Sequence, residues 1–349
     1  AYSVPMRSHG YCADDVARGL IVAVRGRDWI HEEPEVVGGL VTTYLSFLED
    51  AFDARQRRFR NFLSYDRQWL EEVPSEDAHG RALWGLGIAA ASLTEPGQSA
   101  LSARLFKGGL PTVLGFDGLR AQSFTLLGLD AYLQRFGGDS EARRIREQLA
   151  DRLFDAFSRS TSDTWPWPEK QVTYASGKLP HALLVTGHAL ERPEMVERGL
   201  KVLEFLMDQQ RATEGHFSPI GQAGWLSQDG QRARFDQQPI EAHAMIEAWL
   251  AAWEVTGQER CYHEARLCFD WFLGRNDLQV PLFDSATGGC SDALTSVGRN
   301  QNEGAESTVA WLLSVIAMQE ARVRHTMLTP SGDLPAVSVS VEAQPDPVP

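Results

Sequence analysis

The sequence predicts an all-α protein, an (α/α)6 toroid in which six helical hairpins close into a ring. Three observations predict this fold. Apolar helices recur along the chain, roughly 40–65 residues apart. Five of them are each followed by a more polar, amphipathic helix. A cluster of acidic or amide residues precedes each apolar helix. Helices that are apolar all round are buried and amphipathic helices cover them, so the alternation predicts an inner and an outer ring.

The predicted inner helices begin near Asp15, Asp77, Gly118, Leu179, Pro239 and Ala305. The predicted outer helices span 35–54, 98–106, 139–160, 193–211 and 257–273. Acidic residues in a first turn suit the free N–H groups and the helix dipole, and proline is favoured at a first helical position. The segment 56–73 favours one or two strands.

This pattern contains eleven helices, one fewer than six hairpins require. We expect the missing outer helix before Ala1 or in the irregular C-terminal region. Residues 1–328 are predicted to form one domain. Residues 329–349 are rich in proline, valine and serine and are predicted to form a flexible tail.

The charge of the chain restricts the kinds of partner it is expected to bind, and its cysteines and apolar segments indicate where it is located. The chain has 33 basic and 47 acidic residues, a formal net charge of −14, which argues against nucleic acid or an anionic membrane as the main partner. Four scattered cysteines without CxxC spacing predict reduced, buried thiols. No apolar run is long enough for a transmembrane helix, and no signal peptide is recognised. We therefore expect a cytoplasmic protein.

Parallel inner helices would bring the preceding polar clusters to one end of the ring. The segment Thr164–His181 is the richest of them, with Trp165, Trp167, Glu169 and Tyr174 in a loop stiffened by prolines. Exposed indole faces beside a carboxylate suit a sugar, which stacks its C–H face and hydrogen-bonds its hydroxyls. The alternative is a tryptophan-rich loop that plugs the core.

Glycoside cleavage needs two carboxyl groups, one that donates a proton and one that activates water or attacks the sugar. Glu169 is the preferred acid, because a wall of tryptophan and proline would raise its pKa by desolvation. Asp15, Asp77 and Glu241 compete for the second role. Helix capping or ion pairs such as Asp14–Arg18 and Asp77–Arg81 are the structural alternatives.

Further side chains are predicted to contact the ligand at the same end. They are Trp165, Trp167, Tyr174, His181, His79, Arg81, Arg18, Asp14, Gln238, Asn302 and Glu306. His243 lies further into its helix and is a weaker candidate. No HExxH or nucleotide-binding glycine motif occurs, so we expect no metal and no cofactor.

Six segments together resemble a bacterial group of glycosidase-like proteins that is similar to the six-hairpin glycosidase superfamily. They are Tyr11–Arg18, Glu76–Gly87, Thr164–Lys170, Leu179–Leu184, Phe235–Ala242 and Asn300–Thr308. Members of this group often occur beside, or fused to, retaining-type glycosyltransferases. The resemblance covers about residues 1–325 and implies an (α/α)6 fold, a sugar ligand and a possible glycosyltransferase partner.

Three functions follow from these observations. The first is a glycoside hydrolase acting on an oligosaccharide, with Glu169 and one of the competing carboxylates as the pair. The second is a sugar epimerase or isomerase in which His79 or His181 moves a proton. The third is a non-catalytic glycan-binding partner of a glycosyltransferase.

Overall fold

The computed structural model describes residues 2–27, 29, 33–159, 162 and 164–328. Its α-helices are α1 (Ala13–Gly26), α2 (Pro34–Ala51), α3 (Glu76–Ser92), α4 (Pro96–Gly109), α5 (Leu119–Arg135), α6 (Ser140–Arg159), α7 (Lys178–Ala189), α8 (Pro193–Gln209), α9 (Pro239–Thr256), α10 (Glu259–Asp270) and α11 (Ala305–Leu328). Its strands are β1 (Tyr11–Cys12), β2 (Phe52–Asp53), β3 (Arg58–Phe59), β4 (Phe62–Leu63), β5 (Gln171–Val172), β6 (Leu226–Ser227), β7 (Leu294–Thr295) and β8 (Gly298–Arg299).

The six odd-numbered helices form a closed inner ring. Each packs against the next, and α11 packs against α1. Contacts between neighbours advance in the same direction along both partners. Arg18 of α1 pairs with Glu306 at the start of α11, and Arg25 pairs with Glu320 further along it. The inner helices are therefore parallel, and their N-termini share one end of the ring, which we call the mouth.

The even-numbered helices form the outer layer, each packed against the inner helix that precedes it. In the described residues α11 has no outer helix after it. Both places where the sequence analysis expects the twelfth helix lie outside these residues, as does the predicted tail over 329–349. The predicted (α/α)6 toroid is confirmed.

Close approach of inner helices depends on glycine. A Cβ atom on Gly87 of α3 would lie 2.2 Å from the carbonyl oxygen of Gly128 of α5, and one on Gly128 would lie 2.5 Å from the oxygen of Leu83. Real Cβ contacts are never this short, so alanine at either position would force the two helices apart. This explains the small residues that make the inner helices recognisable in the sequence.

Side chains from several inner helices fill the middle of the ring. An apolar cluster contains Ile21, Trp84, Phe124, Leu127, Ala175, Ile240 and Leu313. Among these apolar groups the buried ammonium of Lys178 lies over the Trp84 ring, 4.2 Å from its centroid, and pairs with Glu247. The ring is therefore filled below the mouth and is not an open channel.

The predicted strands of segment 56–73 are present as β3 and β4. They are two residues long and pair with β2 and β1 respectively. The other short strands also form two-stranded ribbons, β5 with β6 and β7 with β8. These ribbons belong to the long loops that precede the inner helices, and they fix the loop residues that surround the mouth.

Candidate functional site

Buried arginines form part of the floor of the mouth. Arg18 of α1 donates to Asp15 at 2.7 Å and to Glu306 at 3.0 Å, and lies 2.9 Å from Asp14. Arg81 of α3 donates to the other oxygen of Asp14. Burial alone would raise the pKa of Asp14, but the two guanidinium groups outweigh it and lower that pKa. Asp14 is thus an ionised structural anchor between α1 and α3.

Asp15 differs from its neighbour in the direction of its pKa shift. Burial raises its pKa to about 6 against the attraction of Arg18, and the nearby carboxylates Asp14 and Glu306 add to the rise. Its side chain is still 27% exposed. An accessible carboxyl that titrates near neutrality can give a proton to a bound molecule and take it back. This is the property required of a general acid.

A second group of side chains faces the mouth from α3, α5 and the loop before α7. The Tyr174 hydroxyl donates to Asp77, and the Arg120 guanidinium lies 4.6 Å from the centroid of the Tyr174 ring. Arg120 also donates to both oxygens of Glu169, at 3.0 and 3.2 Å. Tyr174 keeps 37% of its surface exposed, so the mouth presents an accessible aromatic ring beside two carboxylates.

Glu241 in the first turn of α9 is almost completely buried. It accepts the backbone N–H of Ala175 at 2.7 Å. Burial raises its pKa to about 7, although that N–H group and the charge of Arg120 act in the opposite direction. Its hydrogen bond fixes the turn that carries Tyr174. Glu241 therefore supports the mouth from below rather than lining it.

The structure brings most of the predicted site residues to one place. Those at or directly beneath the mouth are Asp14, Asp15, Arg18, Asp77, Arg81, Glu169, Tyr174, Glu241 and Glu306. They come from α1, α3, α9, α11 and the loop before α7. Six carboxyl groups and the three guanidinium groups of Arg18, Arg81 and Arg120 thus lie at one end of the ring, Asp14 and Glu241 among the buried ones.

The expectation that Trp165 and Trp167 offer exposed indole faces is wrong. Trp165 is 6% exposed and Trp167 is fully buried. Their rings pack edge-on against Phe205 and Phe157, at 5.5 and 6.0 Å between centroids. Both indole N–H groups donate to carbonyl oxygens four residues further along the loop. The two tryptophans face the outer helices, so the wall expected to desolvate Glu169 is absent, and Arg120 is its neighbour.

The two histidines proposed to move protons lie away from the mouth. His79 packs against Phe59 and Phe116 and accepts the N–H of Phe59 at 3.1 Å, on the side of α3 that faces the outer layer. His181 lines a cavity of about 210 Å³ among the C-terminal halves of the inner helices. Burial lowers the pKa of each to about 3. Neither geometry supports the predicted role.

Asn302 and Gln238 occupy the edge of the site. The Asn302 side chain donates to Asp292 at 2.5 Å, and Asp292 also accepts the N–H of Gly304 at 2.7 Å. This arrangement holds the loop that leads into α11. Gln238 is the residue before α9, and its carbonyl oxygen accepts the N–H of Glu241 at 3.1 Å.

Sequence reasoning missed three charged residues that shape the site. Arg120 fixes Glu169 and Tyr174, while Lys178 and Glu247 form a buried ion pair below the mouth. His243 lies beside this pair, its Nε2 3.4 Å from the Lys178 ammonium. The signal was present in the pattern, because single charges in otherwise apolar helices need buried partners. Their partners are distant in sequence, so the pattern could not identify them.

In the described part of the chain no group of three or more histidine, cysteine, aspartate or glutamate side chains is arranged to hold a metal ion. Among the described helices none combines the length and the apolar character needed to cross a membrane.

No model of a known protein family matches the chain, and no curated protein matches its sequence. Solved structures match it over most of its length. Cellobiose 2-epimerase from Spirochaeta thermophila has a TM-score of 0.67 at 13% identity, covering 92% of this chain and 88% of that one. D-mannose isomerase has a TM-score of 0.68 at 9% identity, covering 89% and 87%. A GH76 α-mannanase from Bacteroides thetaiotaomicron has a TM-score of 0.62 at 10% identity, covering 92% and 88%. These similarities show that the chain has an (α/α)6 toroid fold.

Proposed function

We propose that the mouth binds an oligosaccharide and hydrolyses a glycosidic bond by carboxylate acid/base catalysis. One observation carries this proposal: an accessible carboxyl group with a pKa of about 6, Asp15, lies at the same end of the ring as further carboxylates, buried arginines and an exposed tyrosine. Rings, acids and guanidinium donors are what a sugar requires, for stacking, proton transfer and hydroxyl binding respectively. Proteins of the same fold that act on sugars support the proposal.

In this mechanism Asp15 is the general acid. It gives its proton to the glycosidic oxygen while the bond from that oxygen to the anomeric carbon breaks. The leaving sugar departs as an alcohol, and Asp15 is left as a carboxylate beside Arg18, which stabilises the new negative charge. The raised pKa suits this role because the group is protonated in mildly acidic solution and still loses its proton readily.

Asp77 is the second carboxylate of the proposed pair. Its hydrogen bond from the Tyr174 hydroxyl leaves lone pairs free to take a proton from water, whose oxygen then bonds to the anomeric carbon. Glu169 is less suited to this step because Arg120 occupies both of its oxygens. Glu169 and Arg120 instead bind sugar hydroxyls, one as acceptor and the other as donor.

A panel of oligosaccharides in D₂O tests the proposal and its rivals. Gluco- and manno-oligosaccharides are incubated with the protein, and the products are followed by mass spectrometry and NMR. Hydrolysis yields shorter sugars, and Asp15→Asn should lower the rate by about 10²–10⁴. Products of unchanged length with deuterium on carbon would instead mean epimerisation or isomerisation, carried by a carboxylate since His79 and His181 lie elsewhere.

The Glu169→Ala variant tests whether Asp15 or Glu169 is the general acid. The mechanism above predicts mainly weaker binding of substrate, a raised KM, for this variant. A collapse of kcat with binding intact would return the acid role to Glu169, as the sequence alone favours.

Binding without turnover over days would support the third function, a glycan-binding partner of a glycosyltransferase. That partner and a cytoplasmic location are proposals drawn from the sequence. Affinity purification of the tagged protein from its own cells, with a glycosyltransferase among the bound proteins, would support the former.

A further inference from the structure

A groove extends from Asp15 along one side of the mouth. It has a volume of about 510 Å³ and is lined by the N-terminal segment, the β1–β4 ribbon and the loop before α11. The lining residues that matter here are Asp15, Met6, Tyr11, Phe62, Asn302 and Gly304. Asp15 belongs to both the groove and the candidate site. A molecule in the groove would therefore be continuous with one whose bond is broken at the mouth.

Phe62 of β4 is the feature of the groove that its fold does not explain. The residue is 45% exposed, and its ring packs against no other aromatic ring in the described part of the chain. Most strand residues with such exposure are polar. The neighbouring Leu63 on the same strand is buried and supplies the packing that holds the ribbon to the core.

The backbone around Phe62 is fixed even though its ring is exposed. Its N–H donates to Glu71 at 2.9 Å, and its carbonyl oxygen accepts the N–H of Leu70 at 3.0 Å. The ribbon pairs Phe62 with Cys12, directly before the helix that carries Asp15. An exposed ring on a fixed backbone loses little freedom when a flat ligand stacks on it, which favours binding.

The opposite wall of the groove is polar and is also held in place. The loop before α11 is tied to the N-terminal segment by a hydrogen bond from the N–H of Glu303 to the carbonyl oxygen of Tyr2, 3.1 Å long. Asp292 fixes Asn302 and Gly304 in this loop. A groove with one aromatic wall and one amide-bearing wall matches the two kinds of surface that a sugar ring presents.

We propose that this groove is a subsite for the sugar unit next to the reacting one, with Phe62 as its stacking platform. The inference rests on the proposed function, and it specifies the substrate class as a glycan of at least two units that runs from the mouth towards the N-terminal segment. A monosaccharide would fill the mouth and leave Phe62 uncovered.

Calorimetry with two series of sugars tests the subsite. The probes are mannose, mannobiose and mannotriose, and glucose, cellobiose and cellotriose, titrated into Asp15→Asn protein so that no bond is broken. In at least one of the two series, the disaccharide should bind roughly five- to tenfold more tightly than the monosaccharide. This is the gain in affinity expected from one aromatic stacking contact. Phe62→Ala should reduce that gain to about twofold or less and leave the monosaccharide affinity unchanged.

Two control variants test whether the effect depends on an aromatic ring at position 62. Phe62→Tyr retains the ring and should retain the gain. Tyr65→Ala removes an equally exposed ring, 51% exposed, which does not line the groove, and it should also retain the gain. Melting temperatures of all variants show whether the fold is intact.

The possible failures are distinguishable. If a series binds but Phe62→Ala weakens monosaccharide and disaccharide equally, or acts no differently from Tyr65→Ala, the subsite is wrong and the proposed function stands. If no sugar of any length binds in either series, the proposed function fails and the subsite fails with it.

Discussion

Asp14 and Asp15 are adjacent in the sequence but have opposite shifts of pKa. Asp14 lies between Arg18 and Arg81, and its pKa is lowered. Asp15 forms an ion pair with Arg18 but not with Arg81, and burial, with the nearby charges of Asp14 and Glu306, raises its pKa to about 6. The sequence predicts the Asp14–Arg18 pair from its spacing. It does not predict which aspartate has the higher pKa, since that depends on burial and on Arg81 and Glu306 from other helices.

The pH dependence of turnover follows from Asp15. A general acid must be protonated, so kcat/KM should fall as pH rises above about 6, the pKa that burial gives this group. The measurement is a pH–rate profile on any oligosaccharide that the protein cleaves. A rate that is constant up to about pH 8 would show that another group with a higher pKa donates the proton.

The raised pKa of Glu241 predicts how the stability of the fold depends on pH. Burial raises its folded-state pKa to about 7, above the ordinary glutamate value of 4.5, so between these values the folded state binds more protons than the unfolded state. The free energy of unfolding therefore falls as pH rises through this window. Glu241→Gln removes this loss. The melting temperature of the variant, relative to that of the wild type, should rise as the pH increases from about 5 to about 8.

The control for this experiment is Glu95→Gln. Glu95 is an exposed helix-capping residue with a lowered pKa, so its replacement should not improve relative stability as pH rises over the same range. A constant difference between wild type and Glu241→Gln across the range would mean that Glu241 is already ionised at low pH.

At the scale of elements, the sequence predicts the helices well, because the two patterns that identify inner and outer helices are local in the sequence. Small apolar residues mark the inner helices, and a 3.6-residue period marks the outer ones. The predicted starts of the inner helices and the predicted bounds of the outer ones differ from the observed ones by a few residues. The last inner helix, α11, continues to Leu328. Its last turns are polar, and packing of His325 against Tyr262 and Trp253 extends the helix where apolar periodicity has ended.

The loops were less predictable than the helices. Trp165 and Trp167 have the composition of a sugar platform, yet Phe205 and Phe157 of the outer helices take their rings into the core. Whether an indole faces inwards or outwards depends on space between helices that are distant in sequence. Tyr174, in the same segment, keeps 37% of its surface exposed, on a turn that Glu241 holds through the N–H of Ala175.

The close contact between α3 and α5 predicts that a larger residue at Gly87 destabilises the protein. Gly87→Ala would place a Cβ 2.2 Å from the oxygen of Gly128, so it should destabilise the protein by about 1–3 kcal/mol or more. Gly39→Ala is the matched control, because a Cβ on this α2 residue meets no atom within 4 Å. That change should be neutral or stabilise by about 0.5–1 kcal/mol, by lowering the entropy of the unfolded chain. Urea denaturation measures both.

At the scale of the whole molecule, the ring depends on its first and last helices meeting. Arg25 of α1 pairs with Glu247 of α9 and with Glu320 of α11, at 3.0 and 2.5 Å. It therefore joins three helices at the end opposite the mouth. Sequence periodicity predicts that the ring closes, since six hairpins require it, but the residues that join its ends are distant in sequence and could not be paired.

Removal of this link should be costly. Arg25→Met leaves Glu247 with Lys178 as its remaining close cation, and should lower the free energy of unfolding by about 2–4 kcal/mol. Arg104→Met removes an exposed pair with Glu49 and should cost about 1 kcal/mol or less. Equal effects in chemical denaturation would show that Arg25 is not needed to close the ring.

The parallel direction of α1 and α11 has a topological consequence. With 24 residues, α11 is about 36 Å long, so its last residue and the first residue of α1 lie at opposite faces of the disc. Any polypeptide added to connect them must travel back along the outside of the ring. A circularly permuted chain would therefore need a linker that spans the full height of the disc, and a helix beside α11 and α1 would provide it.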